Sequence, residues 1–399
     1  MTMPAGGNIC RGRRGCRPAF TETGPIAGET GRQGRRPLLT VVLAVALLLT
    51  GCTALLERDY STVTPHNAVP ATEGDPSILR ADSYQELVNA LIYFVTGGVE
   101  EGTIRLYTDT ENVESFLAGA CLEVVHEDPL GAYCVEFITY TVDPVVTYSE
   151  AHVDITYRRT REQVASIVQA TGVTAIRSEL ESALTTFAPE RVLRISYFEE
   201  DETYIQELAR QAYYGVPACA LGMPEVAVSI YPQTGRQRIV EILLTYPLEH
   251  SELERRREEL KETLEELAWD LAGRSDLPLA AAQALLEQGR YDPEGGSCTD
   301  DLFLTGCADS EGLALAYAAL CRQLELPCHV AQGTLDGEPR FWNVVQTEEG
   351  WRHLDLSAPE REDAEDGGEP EPVPLHTDRA LLELGYLWEE GTLPLCIET

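Results

Sequence analysis

Apolar and polar positions change their rhythm several times along the chain, and each change predicts an element. Residues 38–49, Leu-Leu-Thr-Val-Val-Leu-Ala-Val-Ala-Leu-Leu-Leu, form an uncharged run behind Arg32, Arg35 and Arg36. Such a run falls short of the ~20 apolar residues that a bilayer-spanning helix needs, so it predicts a signal segment and not a permanent transmembrane helix. From Thr53 to about Leu79 the chain turns to Ser, Thr, Pro, Asn and Gly without an apolar period, which predicts a flexible tether with folded structure starting near Ala81. Beyond it, Leu87 with Leu91 and Leu180 with Leu184 recur at helical spacing, whereas Val153, Ile155, Tyr157 and the stretch around Ile239 and Leu243 suit strands. Ser251 is expected to open a long helix, with Glu254 completing a capping box and Leu253, Leu260, Leu264, Leu267 and Leu271 on one stripe. The opposite face, dense in Arg and Glu, reads as solvated.

The pattern also repeats. Glu86–Leu91 is echoed by Glu179–Leu184 at an offset of 93, and Thr103–Leu106 by Val192–Ile195 and Asp154–Tyr157 by Leu243–Tyr246 at an offset of 89. One loop length change of four residues accounts for the difference. Two small α+β modules are therefore predicted, 81–160 and 161–250, each reading helix, strand, helix, strand, strand. Modules of about 80 residues bury enough surface only against a neighbour, so the two should pack together. A connecting helix over 251–279 leads to a last α+β domain, 280–399.

Charge narrows the function. The 399 residues carry 30 Lys+Arg against 66 Asp+Glu, a net −36. Seven of the Arg and only two Glu lie in the first 51 residues, so the remainder holds 23 basic and 64 acidic residues, a net −41. Such a surface repels phosphate backbones and anionic head groups, which argues against nucleic acid as a partner and leaves membrane attachment to something other than charge. That something is Cys52. Leu49-Thr50-Gly51-Cys52, behind the arginine-flanked run, resembles a bacterial lipobox. The resemblance implies lipidation of the Cys52 thiol, removal of residues 1–51 as the signal, and a mature chain held on the outer face of the bacterial cytoplasmic membrane by the anchor and tether 52–80. A plain secretory signal is the alternative.

Four patterns in order make residues 280–399 resemble a transglutaminase-like domain of the papain-like fold. A helix is read as ending in Tyr291-Asp292. Gly306-Cys307-Ala308-Asp309-Ser310-Glu311-Gly312-Leu313-Ala314 leads to Leu324-Glu325-Leu326-Pro327-Cys328. Arg340-Phe341-Trp342-Asn343-Val344 and Trp351-Arg352-His353-Leu354-Asp355 follow, and Leu384-Gly385-Tyr386-Leu387-Trp388 closes the domain. The family places a catalytic cysteine where this chain has Ser310, and a histidine where it has Arg340; Trp342, Asn343, Trp351 and Asp355 match. Leu313, Tyr317, Leu320 and Leu324 keep a helical stripe behind Ser310.

The two departures decide the chemistry that is expected. A nucleophile at a helix N-terminus needs a base, and a guanidinium protonated at any relevant pH cannot be one. Asp355, left without a histidine to orient, should pair with Arg340. The expectation is a degenerate triad of Ser310, Arg340 and Asp355 in a non-catalytic binding or scaffold protein, with a peptide, cell-wall fragment or surface protein as ligand. The competing reading is an active amidase or peptidase using Ser310 or Cys307 with His353 and Asp355. Trp342, Asn343, Trp351 and His353 are candidates for lining a remnant groove. Eight cysteines follow Cys52, and among them Cys298 with Cys307 would brace the loop before Ser310 if oxidised. No metal is expected, since Cys-x-x-Cys and paired His spacings are missing, and no cofactor is implied. The acidic stretch 360–371 lacks calcium-loop order and reads as an exposed insertion.

Overall fold

The structure, a computed structural model, describes residues 70–72, 75, 77–108, 112–358 and 373–397. The signal run, Cys52, the tether up to 69 and the acidic stretch 360–371 lie outside the described residues.

Strands β1 (Ala71–Thr72), β2 (Ile78–Ala81), β3 (Glu101–Leu106), β4 (Val135–Val145) and β5 (Tyr148–Tyr157) form a sheet in the order β1-β2-β3-β5-β4. Helix α1 (Tyr84–Gly97) starts where the Ser83 hydroxyl accepts the Glu86 amide and stops at Gly98, whose φ of 61° needs no Cβ penalty. Helix α2 (Val113–His126) is capped by Asn112, and the short α3 (Pro129–Cys134) by Asp128. The apolar stripe of α1, with Leu87, Leu91 and Phe94, packs on Ile104, Val153 and Ile155. The other face of the sheet carries Thr103, Arg105, His152 and Asp154 and stays open to solvent, as its polarity requires.

A second sheet follows from the short α4 (Arg161–Ala165). Its strands are β6 (Val168–Ala170), β7 (Glu190–Ser196), β8 (Glu225–Tyr231) and β9 (Gln237–Thr245), in the order β6-β7-β9-β8, with helices α5 (Val173–Thr185) and α6 (Glu202–Gly215) on one face. Strand for strand this is the connectivity of β2-β3-β5-β4, including one parallel pair at the start of each. Both sheets depart from the expected helix-strand-helix-strand-strand order in the same way: β2 and β6 come before the first helix. At four and three residues they are too short to show an alternating period. Ala81 is accordingly the end of a strand and not the start of the fold.

The second sheet does not leave its outer face open. Val192, Ile239 and Tyr231 join the apolar core of the first. Between them Glu241, only 5% exposed, receives Arg159 at 2.6 Å and 2.8 Å and the Tyr231 hydroxyl at 3.3 Å. The Arg159 guanidinium also lies over the Tyr133 ring of α3, which meets Tyr231 edge-on. A buried carboxylate is tolerated only when its charge is answered, so this pair fixes how the two layers meet.

Helix α7 (His250–Leu271) buries Leu253, Leu260, Leu264 and Leu271 as expected. Its start differs. The N-cap is Glu249 without a side-chain cap bond, so the Ser251–Glu254 capping box does not form, and Glu254 pairs with Arg257 instead. Its charged face is not solvated throughout either, because Arg256 is half-buried and grips the buried Asp300 at 2.5 Å and 2.6 Å.

The last unit runs α8 (Leu277–Gln288), β10 (Arg290–Gly296), α9 (Asp301–Thr305), β11 (Cys307–Ala308), α10 (Ser310–Gln323), β12 (Cys328–Leu335), β13 (Glu338–Thr347), β14 (Gly350–Leu354), α11 (Asp378–Glu383) and β15 (Tyr386–Trp388). The four strands from β12 on form an antiparallel sheet in the order β14-β13-β12-β15. Helix α8 ends before Tyr291-Asp292, which lie on β10 paired with β11. Gly289 makes the break: a Cβ there would sit 2.6 Å from the Gly306 carbonyl, so only glycine lets the chain pass the loop. The chain is mixed α+β. Among the described residues no helix is long and apolar enough to cross a membrane.

Breaking one side of the Arg159–Glu241 pair should strand a buried charge. Arg159→Met is expected to lower stability by roughly 3 kcal/mol in urea titration, and adding Glu241→Leu should recover much of that loss. A double variant as unstable as the sum of the singles would refute the pairing.

Candidate functional site

Helix α10 places the site. Asp309 is its N-cap, accepting the Gly312 amide at 2.9 Å, which makes Ser310 the first helical residue. Ten consecutive residues, Gly312 to Cys321, are buried. Gly312 is obligatory, since a Cβ would lie 2.5 Å from the Gly296 carbonyl of β10. Strand β13 crosses beside this helix. Its Asn343 amide donates to the Ala314 carbonyl at 2.9 Å, and its Phe341 N–H donates to Ser310 Oγ at 3.3 Å. Side chains alternate along a strand, so Phe341 and Asn343 face α10 while Arg340 and Trp342 point to the far side.

On that far side Arg340 is 8% exposed and Asp355 4%. Arg340 Nε donates to Asp355 Oδ2 at 2.9 Å, one Nη donates to the Ser357 carbonyl, and the other reaches the Tyr291 hydroxyl at 3.3 Å. The Tyr291 ring also lies beneath the guanidinium. Asp355 is saturated: besides Arg340 it accepts the Tyr386 hydroxyl at 2.7 Å and both the amide and hydroxyl of Ser357, at 2.8 Å and 2.6 Å. Burial works against the Arg340 charge, but the Asp355 carboxylate outweighs it and holds the guanidinium above its usual pKa. The group is a permanent cation and takes no proton from a hydroxyl. Among the described residues no hydrogen bond joins Ser310 to Arg340. The Tyr291, Ser357 and Tyr386 contributions have no signal in residue spacing.

His353 turns out to be part of a different network. It is fully buried, its Nδ1 accepts the Trp342 indole N–H at 2.9 Å, and its Nε2 lies 2.8 Å from Asp378 of α11, not against Asp355. Burial lowers its pKa despite Asp378. The indole donor requires a bare Nδ1, so Nε2 carries the proton toward Asp378. The His353 lone pair on Nδ1 is therefore engaged by Trp342 and not by Ser310. His353, Asp378 and Cys396 have ligand atoms within 4.8 Å of one another, and there the Nε2 hydrogen bond to Asp378 already joins two of the three. The second such group, Cys298 with Asp300 and Asp301, already has its cation in Arg256.

The expected groove residues do not line an opening. Trp342 and Asn343 are buried with His353, and Trp342 is walled in by Tyr386 and Trp388. Trp351 is half-buried against His329. The mouth on the Ser310 side is covered by α6 of the preceding module: Tyr214 stacks 5.7 Å from Phe341 and donates to Glu311 at 2.9 Å, while Arg210 bonds Gln332. Beside Asp355 and Tyr386 there is a cleft of ≈ 100 Å³, well below the ~300 Å³ at which ligand pockets begin. Cys298 and Cys307 are both free thiols. Cys298 faces Asp301 and Gly222, Cys307 faces Thr305, and α9 separates them; the loop is braced by the Arg256 clamp instead of a disulfide. Burial pushes the Cys298 thiol up to about 12.

Comparison with known proteins adds little to this geometry. No family profile matches the chain, and no curated protein does. One solved structure, described as a TGase, is 13% identical over 63% of this chain and 71% of its own, with a TM-score of 0.24. A second, a presumed protease from Parabacteroides distasonis ATCC 8503, is 8% identical over 69% of this chain and 45% of its own, with a TM-score of 0.19. Scores this low decide neither fold nor chemistry.

Two outcomes follow from the buried groups. Arg340→Met should cost roughly 3 kcal/mol or more by leaving Asp355 buried and uncompensated, and Arg340→Lys should not restore it, because a lysine cannot make the forked contacts; urea midpoints measure both. His353 titrates below about 6.5 when folded, so the unfolded chain binds its proton first as pH falls. Stability should therefore drop from about pH 6.5 downward, and His353→Gln should flatten that slope. An unchanged slope in the variant would show that His353 does not remain neutral.

Proposed function

We propose that the chain is an exported lipoprotein, anchored through Cys52, whose last domain keeps a transglutaminase-like framework without its reaction and serves in binding or scaffolding at the cell surface. The observation that carries this reading is the Arg340–Asp355 clasp. Where a hydrolase would need an imidazole held by a carboxylate, the carboxylate here has its lone pairs occupied by Arg340, Tyr386 and Ser357. Ser310 keeps a helix N-terminus, and with it the favourable dipole, but among the described residues no hydrogen bond offers its hydroxyl proton a base. Tyr214 and Arg210 occupy the approach from the helix side. A partner is then recognised by the outer surfaces of a strongly acidic body, and a peptide, wall fragment or surface protein fits that description better than an anionic polymer.

Three measurements test the reading. Cys52→Ala should move the protein from the membrane fraction to the soluble one; retention in the membrane would exclude the anchor. The unaltered chain, given a peptide library, an amine donor and serine- or thiol-directed probes, should show neither amide cleavage nor amine transfer, and Ser310→Ala should change nothing. Turnover abolished by Ser310→Ala or Cys307→Ala would establish the competing amidase. Restoring Ser310→Cys together with Arg340→His should yield a thiol that iodoacetamide modifies faster near neutral pH than in Ser310→Cys alone.

A further inference from the structure

The C-terminal end of α10 holds two cysteines that no expectation paired. Cys321 closes the buried run of the helix, and Cys328 opens β12 seven residues later. Between them the chain reverses sharply: Leu326 N–H donates to the Cys321 carbonyl at 2.8 Å, Glu325 takes a φ of 57°, and Pro327 feeds the strand back along the helix. Both thiols belong to one apolar cluster with Tyr317 and Leu320. The Cys328 thiol receives the Asn343 amide at 3.6 Å and packs in the same buried cluster as the Cys321 thiol.

We propose that Cys321 and Cys328 form an intramolecular disulfide when the protein is folded in an oxidising compartment, pinning the end of the helix that carries Ser310 to the start of β12. The Leu326–Cys321 bond turns the start of β12 back beside the end of the helix, and both thiols pack into the one apolar cluster that fills the corner, which is the arrangement a bridge requires. The reaction is thiol–disulfide exchange with a disulfide oxidant such as oxidised glutathione. Cys328, which keeps partial exposure, attacks the oxidant and releases one thiol; Cys321 then attacks the mixed disulfide at Cys328 and releases the second. Two S–H bonds are lost, one S–S bond forms, and the oxidant leaves as two thiols. Burial holds the Cys328 thiol far above its ordinary pKa, so the first step is slow in neutral solution without an excess of oxidant.

The test uses the full chain in two states, reduced with excess thiol and equilibrated with excess oxidised glutathione. Each is quenched in acid, alkylated without reduction and mapped by mass spectrometry. The oxidised sample should contain one cross-linked peptide pair joining Cys321 to Cys328, about 2 Da lighter than the two free-thiol peptides together. Its melting midpoint should exceed that of the reduced sample by at least ~2 °C, a difference absent from Cys321→Ala and Cys328→Ala. A map in which Cys328 is alkylated, or linked to any cysteine other than Cys321, overturns the proposal, as does an equal melting shift in wild type and both variants.

Discussion

A carboxylate taken out of water must have its charge answered, and the last domain is organised around how Asp355 is answered. Arg340 supplies the opposite charge, Ser357 two donors and Tyr386 a third. Each donor comes from a different part of the chain: β13, the turn after β14, and β15. The carboxylate thereby joins both edges of a four-stranded sheet. Losing the guanidinium would leave an uncompensated buried charge, an effect of several kcal/mol against a total stability of only ~5–15 kcal/mol. The same arrangement leaves neither partner free for acid–base work at this spot, because a carboxylate so occupied cannot orient a base and a guanidinium cannot be one.

A similar solution operates between the first two sheets. The open face of the second would expose Val192 and Ile239, so it is covered by α3 of the first, and Glu241 buried there is met by Arg159. The corresponding face of the first sheet is polar and needs no cover. The order of layers follows from that asymmetry: the sheet with the apolar outer face lies inside, and the one with the polar face lies at the end.

Much of this was legible in residue types. The stripe Leu313, Tyr317, Leu320 announces α10, and its register sets Ser310 at the helix start. Arg340 and Asp355 could be paired because the resemblance to a transglutaminase-like domain sets Arg340 where a histidine would face that carboxylate. What could not be read were the contacts between distant segments. Nothing local to His353 says that Asp378, 25 residues on, will hold it in place of Asp355. Nothing in Tyr214 says that it will close over Phe341. The capping box failed because a helix start is set by where the preceding strand delivers the chain, and here that is Glu249, two residues before Ser251. Cys298 and Cys307 are unbridged here and meet different neighbours, because sequence gives the spacing of thiols and not their direction.

Helix α10 is held mainly by packing, from Gly312 against β10 to Asn343 on its flank, and the Ser310 side chain adds one contact, accepting the Phe341 N–H at 3.3 Å. The framework around position 310 thus rests mostly on residues other than Ser310. Position 310 can exchange serine for cysteine by a single-atom change, whereas a histidine at position 340 would leave Asp355 to be answered some other way. The two positions are therefore asymmetric: a thiol at 310 costs the fold little, and an imidazole at 340 meets a stability barrier that the buried carboxylate sets.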